Sequence, residues 1–551
     1  MDMPVRKLWR FNGGLHLPHH KQLASEQSVI KAALPKRLIL PLQQHIGAPA
    51  QPLVKTGEQV LKGQMIARAE GHISAPIHAP TSGVVTEISP QTVPHPSGGK
   101  APCIILEPDG LETWAELPEP MDNFLGHTPK ELLHRIREAG IVGMGGAAFP
   151  ASVKLNPGPH HPIHTLILNG AECEPFITCD DRLMREQASR VIMGLKILRY
   201  ILGAEHCLIG IEDNKPEAIA SMRQALTEAG IEQAEVIALP SIYPTGGEKQ
   251  LIKVLTGKEV PRHGLPAQLG IVCHNVGTTA AVADAVLRGL PLISRIVTVT
   301  GRGIAQPGNY EALIGTPAAD LISQAGGYTD RVSRLILGGP MMGITLRDDN
   351  IPLTKASNCL LAASTEDAPD PGPAKPCIRC GECARVCPVT LLPQQLYWHA
   401  RARDLEKVQD YHLFDCIECG CCSHVCPSHI PLVQYFRFAK QESWAKEKEH
   451  RKSEHARQRH EARVARLARL EQERKEKLAQ KKAALEKKKA GAVDPKKAAI
   501  EAAIEAAMKR VAEKKAAQQA APKNIDELTP AQRKQIEEAE ARRASQDDTE
   551  S

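Results

Sequence analysis

Aromatic side chains make up only 3% of this 551-residue chain, and apolar residues nowhere run unbroken for the roughly 18 positions that a membrane-spanning helix needs. That absence excludes an integral membrane protein. Between Met1 and His20 there are charges and paired histidines but no apolar core of a secretory signal, so a cytosolic chain is expected. Nor do aromatics interleave with the basic residues in the way that stacking on nucleic acid requires. The net charge of +6 belongs to the tail: 29 basic and 21 acidic residues lie from Lys440 onward, leaving 40 against 42 in the preceding 439 residues. A chain-wide basic character, and a nucleic-acid partner with it, is thereby excluded.

Cysteine is what the chain does have. Fifteen in a reducing compartment read as metal ligands or redox groups rather than disulfides, and nine of them fall between Cys377 and Cys426. The spacing Cys377-x2-Cys380-x2-Cys383-x3-Cys387-Pro388 returns 39 residues later as Cys416-x2-Cys419-x2-Cys422-x3-Cys426-Pro427. Three thiolates at i, i+3 and i+6 wrap one iron–sulfur cube, and the fourth, ahead of proline, ligates the other cube. Two 4Fe-4S clusters are implied, one on Cys377, Cys380, Cys383 and Cys426, the other on Cys416, Cys419, Cys422 and Cys387. Paired zinc ribbons would use CxxC pairs but gain nothing from the third thiolate or the Cys-Pro. Cys421, His424 and His429 fall outside the rule and read as neighbours of a completed ligand set. His160, His161 and His164 sit in a Pro/Gly loop with no partner set for a metal.

Pattern changes divide the chain at 1-112, 113-292, 293-350, 351-440 and 441-551. From Leu38 to Leu106, short β-like runs separated by Gly and Pro indicate a small all-β unit, similar to the lipoyl/biotinyl carrier sandwich. No lysine occupies its hairpin at Ile73 to His78, so it reads as a scaffold copy of that fold. Next, helices at Pro129 to Ala139, Met184 to Leu202 and Pro216 to Ala229 alternate with strands at His164 to Leu168 and Cys207 to Ile211. Such alternation predicts a largely parallel, Rossmann-like α/β domain with ligand sites at its strand ends. Ser294 to Leu346 reads as a small α+β module, and a Pro-rich linker leads into the cysteine segment. Beyond Glu442 the chain is rich in Ala, Lys, Glu, Arg and Gln. There Val464, Leu467, Leu470, Leu478 and Leu485 are too sparse for a heptad seam, and Gly491, Pro495, Pro522 and Pro530 interrupt the stretch beyond them. A solvated extension, partly helical and partly disordered, is expected.

Clusters pass single electrons, so a flavin is the cofactor sought to split a hydride. Gly143-Met144-Gly145-Gly146-Ala147-Ala148-Phe149-Pro150 nearly fits the dinucleotide fingerprint but comes after a helix, not a strand. Its glycines would let backbone N–H groups approach a phosphate or a flavin ring, or would simply form a tight turn.

GMGGAAFPASVKL, LILNGAECEPFITCDDRLM, YPTGGEKQ and HNVGTTAAVADAV, in this order, resemble the FMN- and NADH-binding flavoprotein subunit of respiratory complex I. With FNGGLHLPHHK at residues 11–21, the carrier-like domain and the dicluster ferredoxin, the chain to about residue 440 resembles the C subunits of Rnf (Rsx) electron-transport complexes. The module at 294–346 is similar to the SLBB β-grasp domain. The resemblance implies that Gly143, Gly145, Gly146, Ala147 and Phe149 form the loop beside FMN, and that Lys154 faces the flavin or its phosphate. It implies further that Asn169, Glu172 and Glu174 lie near flavin and nicotinamide ribose, that Gly246, Gly247 and Glu248 match the GGE segment, and that His274 and Asn275 form a turn near the FMN phosphate. Met144 stands where the complex I flavoproteins have Arg, and Ala148 where they have Gly.

The activity implied is transfer of electrons from NADH, through non-covalent FMN and two 4Fe-4S clusters, to membrane partner subunits of a complex that moves Na+ or H+. The chain would be peripheral, on the cytoplasmic face of the inner membrane, and would meet a ferredoxin-like or other redox partner. The alternatives are an electron-relay and assembly scaffold that does not itself oxidise NADH, and a soluble diaphorase subunit.

Overall fold

The β-like runs between Leu38 and Leu106 fold as two small antiparallel sheets in a computed structural model that describes residues 7–158, 160–370, 372–489 and 497–519. One sheet has the order Leu38–Pro41, Lys100–Pro108, Gly83–Thr92, Gln59–Val60; the other runs Gln51–Pro52, Met65–Arg68, Ile77–His78. Leu38, Leu40, Ile66, Ile77, Ile104 and Leu106 fill the space between them. The hairpin that carries the swinging lysine in carrier domains is buried here from Ser74 to His78. The carbonyl of Pro76 accepts a bond from Lys355 Nζ at 2.8 Å. The hairpin is packed against the rest of the unit.

Thr128 opens the α/β domain with a capping box on Glu131 that starts the helix Pro129–Glu138. The sheet is four-stranded and parallel, in the order Ala234–Leu239, His206–Glu212, Thr165–Gly170, Ile271–Asn275. Leu166, Ile167, Leu168 and Ile209 are buried from both faces, as helix-covered parallel strands are. The single helix expected from Met184 to Leu202 is two, Cys179–Glu186 and Ala188–Leu202, with Gln187 leaving helical torsions between them. The first packs mainly on the helix Pro216–Glu228 and the second mainly on Val276–Leu287, although each also touches the other's chief neighbour.

The next sheet has six strands, ordered Ile30–Lys31, Gly308–Leu313, Ser294–Thr300, Cys359–Ala363, Arg334–Leu337, Ile344–Leu346, with the helix Ala318–Gln324 beside it. Its strand Cys359–Ala363 comes from beyond residue 350 and is fully buried in mid-sheet. The edge strand Ile30–Lys31 comes from a strap over residues 8–31 that crosses the molecule before the first sandwich.

The cysteine segment folds twice in the same way. Arg379, Gly381 and Thr390 take positive φ in the first half (58°, 80° and 54°), and Glu418, Gly420 and His429 do so in the second (58°, 82° and 52°). A one-turn helix comes after each glycine, Glu382–Arg385 and Cys421–His424.

These parts form one unit, Met1–Glu447, and a second begins at Lys448. The second is helical to Lys489 and again over Lys497–Gln519, with Val464, Leu467, Leu470, Leu478 and Leu485 all exposed. The expected breaks at Gly491, Pro495, Pro522 and Pro530 lie outside the described residues. No described helix is long and apolar enough to cross a membrane.

Candidate functional site

Eight cysteines separate around two cavities. Cys377, Cys380, Cys383 and Cys426 line one of about 330 Å³ together with Ile378, Trp398 and Ile430. Cys387, Cys416, Cys419 and Cys422 line a much tighter one with Pro388, Cys421 and Phe436. The structure thus brings together the two interleaved sets that the repeat spacing implies, each with the proline next to the borrowed cysteine. Four thiols around an apolar hollow fit a 4Fe-4S cube, whose sulfides need a dry wall and whose irons need one thiolate each.

The two sites differ in exposure. Cys380 is exposed and the other three of its set are half-buried, whereas Cys387, Cys419 and Cys422 are buried. Glu418, between two ligands, is held by Arg437 Nε and Lys440 Nζ at 2.8 Å each, and the same Lys440 donates to the Cys416 carbonyl at 2.7 Å. These two cations keep the Glu418 carboxyl below its ordinary range despite burial, which acts in the opposite sense. Cys421 is buried against the second set, and His424 and His429 line neither cavity.

The glycine loop lies at the C-terminal ends of the parallel strands. Gly145, Gly146 and Ala147 are exposed; Gly146 has φ +124° with open space where a Cβ would stand, and Ala148 also takes positive φ. Met144 N donates to Thr278 Oγ1 at 2.8 Å, and the buried Arg295 donates from behind to the Met144 carbonyl at 3.3 Å. A Cβ on Gly145 would meet that of Asn275 at 3.2 Å. Asn275 ends its strand and caps the helix Val276–Leu287 by accepting from Gly277 N at 2.9 Å and Thr278 N at 3.3 Å. Its amide donates to Asp180 Oδ2 at 2.6 Å.

Across the strand ends, Lys154 pairs with Glu248, and Asn169 Nδ2 donates to the Gly246 carbonyl at 2.8 Å. Lys154, Asn169, Gly246, Glu248 and Asn275 are therefore drawn toward one rim, with the loop Gly143–Phe149 above it. His274 is buried beneath, its pKa driven to about 3 by burial and then by Lys154. Its Nε2 has no hydrogen-bond partner among the described residues. A glycine cradle without a roof, a lysine at its edge and an unanswered buried nitrogen fit a phosphorylated flavin.

Glu172 and Glu174 are placed differently from Lys154 and Asn169. The Glu172 carboxylate caps the helix Cys179–Glu186, accepting from Asp180 N at 2.7 Å and Asp181 N at 3.2 Å. Glu174 Oε1 accepts from Met341 N at 2.6 Å and Met342 N at 3.0 Å, tying the α/β domain to the next module. Burial pushes both carboxyls up, against the pull of Lys21. Three positioning residues carry no local sequence signal of their role: Lys21, Arg295 and Asp180. Lys21 is 7% exposed and donates to the carbonyls of Glu172, Glu174 and Ile177 at 2.8, 3.1 and 2.6 Å. In the Pro/Gly loop, His164 bonds Thr165 Oγ1 at 2.7 Å.

Four family models match the chain: the RnfC barrel sandwich hybrid domain over 9–111, the Nuo51 FMN-binding domain over 136–284, the SLBB domain over 296–345, and a 4Fe-4S dicluster domain over 376–430. FMN and 4Fe-4S clusters are accordingly the redox cofactors of this chain. The C subunit of the ion-translocating oxidoreductase complex of Pseudomonas aeruginosa is 53% identical over 467 residues, 85% of this chain and 60% of the relative. Proteins of the same name from Haemophilus influenzae (47% identical, 85% of this chain, 70% of the relative) and Vibrio cholerae (46%, 91% and 64%) also match. The chain thus spans about three fifths to seven tenths of the length of these relatives. Among solved structures, an NAD+-reducing NiFe hydrogenase is 20% identical with a TM-score of 0.42, covering 57% of this chain and 63% of that one.

Proposed function

The chain belongs to the family of C subunits of ion-translocating oxidoreductase complexes, and from that premise we propose that it passes electrons between NADH and the membrane subunits of such a complex. FMN, when bound, exchanges hydride as a pair of electrons and gives them up singly, which is the form in which clusters carry them. The chain's own residues then have separate tasks. The Gly143–Phe149 loop, held by Thr278 and Arg295, would offer backbone N–H groups to the flavin, Lys154 would face the flavin or its phosphate, and His274 and Asn275 would form the turn near that phosphate. Glu172 and Glu174 fix the segment on which a nicotinamide nucleotide would lie, through the backbone bonds they accept. Cys377, Cys380, Cys383 and Cys426 hold one cluster; Cys416, Cys419, Cys422 and Cys387 hold the other.

The observation that carries this reading is the coexistence, in one folded unit, of a flavin cradle at the strand ends and two four-cysteine cavities. On this reading the chain sits on the cytoplasmic face of the inner membrane, and ion movement, Na+ or H+, is the work of its partner subunits. Met144 favours a second reading, an electron relay without NADH oxidation, because no guanidinium from the loop clamps the nucleotide phosphate. Anaerobic reconstitution with iron, sulfide and FMN separates them. NADH should bleach both flavin and cluster bands, and bleaching by dithionite alone would support the relay.

A further inference from the structure

The two cluster sites are not equivalent in their neighbours. Among the described residues, the α/β domain, the strap and the β-grasp module bear on the Cys387, Cys416, Cys419, Cys422 side. Gly14 N donates to the carbonyl of Val386, beside Cys387, at 3.0 Å, and a Cβ on Gly13 would stand 2.4 Å from that oxygen. A Cβ on Gly420, next to Cys419, would stand 2.6 Å from the Met341 carbonyl. Arg262 of the α/β domain pairs with Asp415, next to Cys416, at 3.0 Å. The Cys377 set, by contrast, opens on exposed Ile378, Cys380 and Trp398.

One side chain spans the gap directly. Tyr243 is 3% exposed and opens the turn that carries Gly246, Gly247 and Glu248. Its backbone pairs with Leu15 of the strap at 2.8 Å in both directions, and its hydroxyl donates to the carbonyl of Cys419 at 2.6 Å. Tyr243, Val386, Cys419 and Cys421 share a small apolar core with Leu15, Leu17 and Cys173. The flavin-side turn is thus bonded to the main chain of a cluster ligand.

We propose that Tyr243 is the positioning residue that fixes the Cys387, Cys416, Cys419, Cys422 set as the first cluster on the flavin side, with the Cys377, Cys380, Cys383, Cys426 set as the exit. The inference rests on the function proposed for the chain. Electrons pass singly, the flavin side losing one and the inner cluster gaining one; no bond forms or breaks. An O–H donor on a ligand's peptide carbonyl draws density from the thiolate and favours the reduced cluster.

The test uses the full chain, anaerobically reconstituted, with the two cluster EPR signals assigned from Cys377→Ser and Cys416→Ser proteins. In a mediated redox titration, Tyr243→Phe should move the midpoint potential of the inner cluster to more negative values and leave the outer one in place. In freeze-quench EPR after NADH, the Cys377→Ser protein should still reduce its remaining cluster, while the Cys416→Ser protein should reduce its own only with dithionite. Unmoved potentials in Tyr243→Phe, or a shift confined to the outer cluster, would overturn the proposal. So would NADH reduction of the outer cluster in Cys416→Ser at the rate of the unaltered chain. If NADH reduces no cluster in the unaltered chain, the function reading fails, and the titration still decides the role of Tyr243.

Discussion

Single residues hold the domains of the first unit together through buried cations that the sequence does not advertise. Lys355 is 1% exposed and donates to the carbonyls of Pro76 and Gly140 at 2.8 and 2.6 Å, so one ammonium joins sandwich, α/β domain and grasp module. Burial lowers its pKa from 10.5 to about 7. Between those values the unfolded chain holds a proton that the folded chain lacks, so folding stability gains from this site as pH rises from 7 to 10.5. Urea titrations should show that gain shrink in Lys355→Met. The nearby His78 is pushed to about 3 and His45 is also lowered, both by burial, so neither titrates in that window. Gly146 makes a second residue-scale case. Its φ of +124° admits a side chain only with strain of about 1–3 kcal/mol. Gly146→Val should lose flavin, read as FMN per chain after gel filtration, while dithionite still elicits both cluster signals.

At the scale of elements, the strap over residues 8–31 is built to be clamped. Lys21 satisfies three carbonyls of the segment that carries Glu172 and Glu174. Removing its ammonium leaves buried acceptors unanswered, so Lys21→Met should cost roughly 2–4 kcal/mol in urea unfolding and lower FMN retention. A helix cap gives a smaller effect: Thr128→Ala should cost about 1 kcal/mol by the same measurement. Elements with local signals are legible in the sequence. Thr128 and Pro129 mark one helix, and the short apolar run from Thr165 to Leu168 marks a buried strand. Elements set by distant partners are not. The break at Gln187 separates two helices that share the neighbours Pro216–Glu228 and Val276–Leu287 in different proportion, and the start of the first of them is set by Glu172, 7 residues upstream of Cys179. Cys359–Ala363 enters a sheet whose adjacent strand, Ser294–Thr300, lies far back in the chain. In the site, the cysteines can be read from spacing alone. Lys21, Arg295 and Tyr243 cannot, because a buried Lys, Arg or Tyr is defined by the carbonyls around it.

Across the whole first unit, flavin domain, strap and grasp module press on one cysteine set of the ferredoxin and leave the other open. The covered set draws on both halves of the repeat, Cys387 from the first and Cys416, Cys419 and Cys422 from the second, as it must if each half lends its fourth cysteine to the other. Dithionite-reduced EPR of Cys426→Ser, set beside Cys377→Ser and Cys416→Ser, tests this most directly. The account predicts that Cys426→Ser loses the same signal as Cys377→Ser, although Cys426 belongs to the second motif. Loss of the signal missing in Cys416→Ser would contradict it.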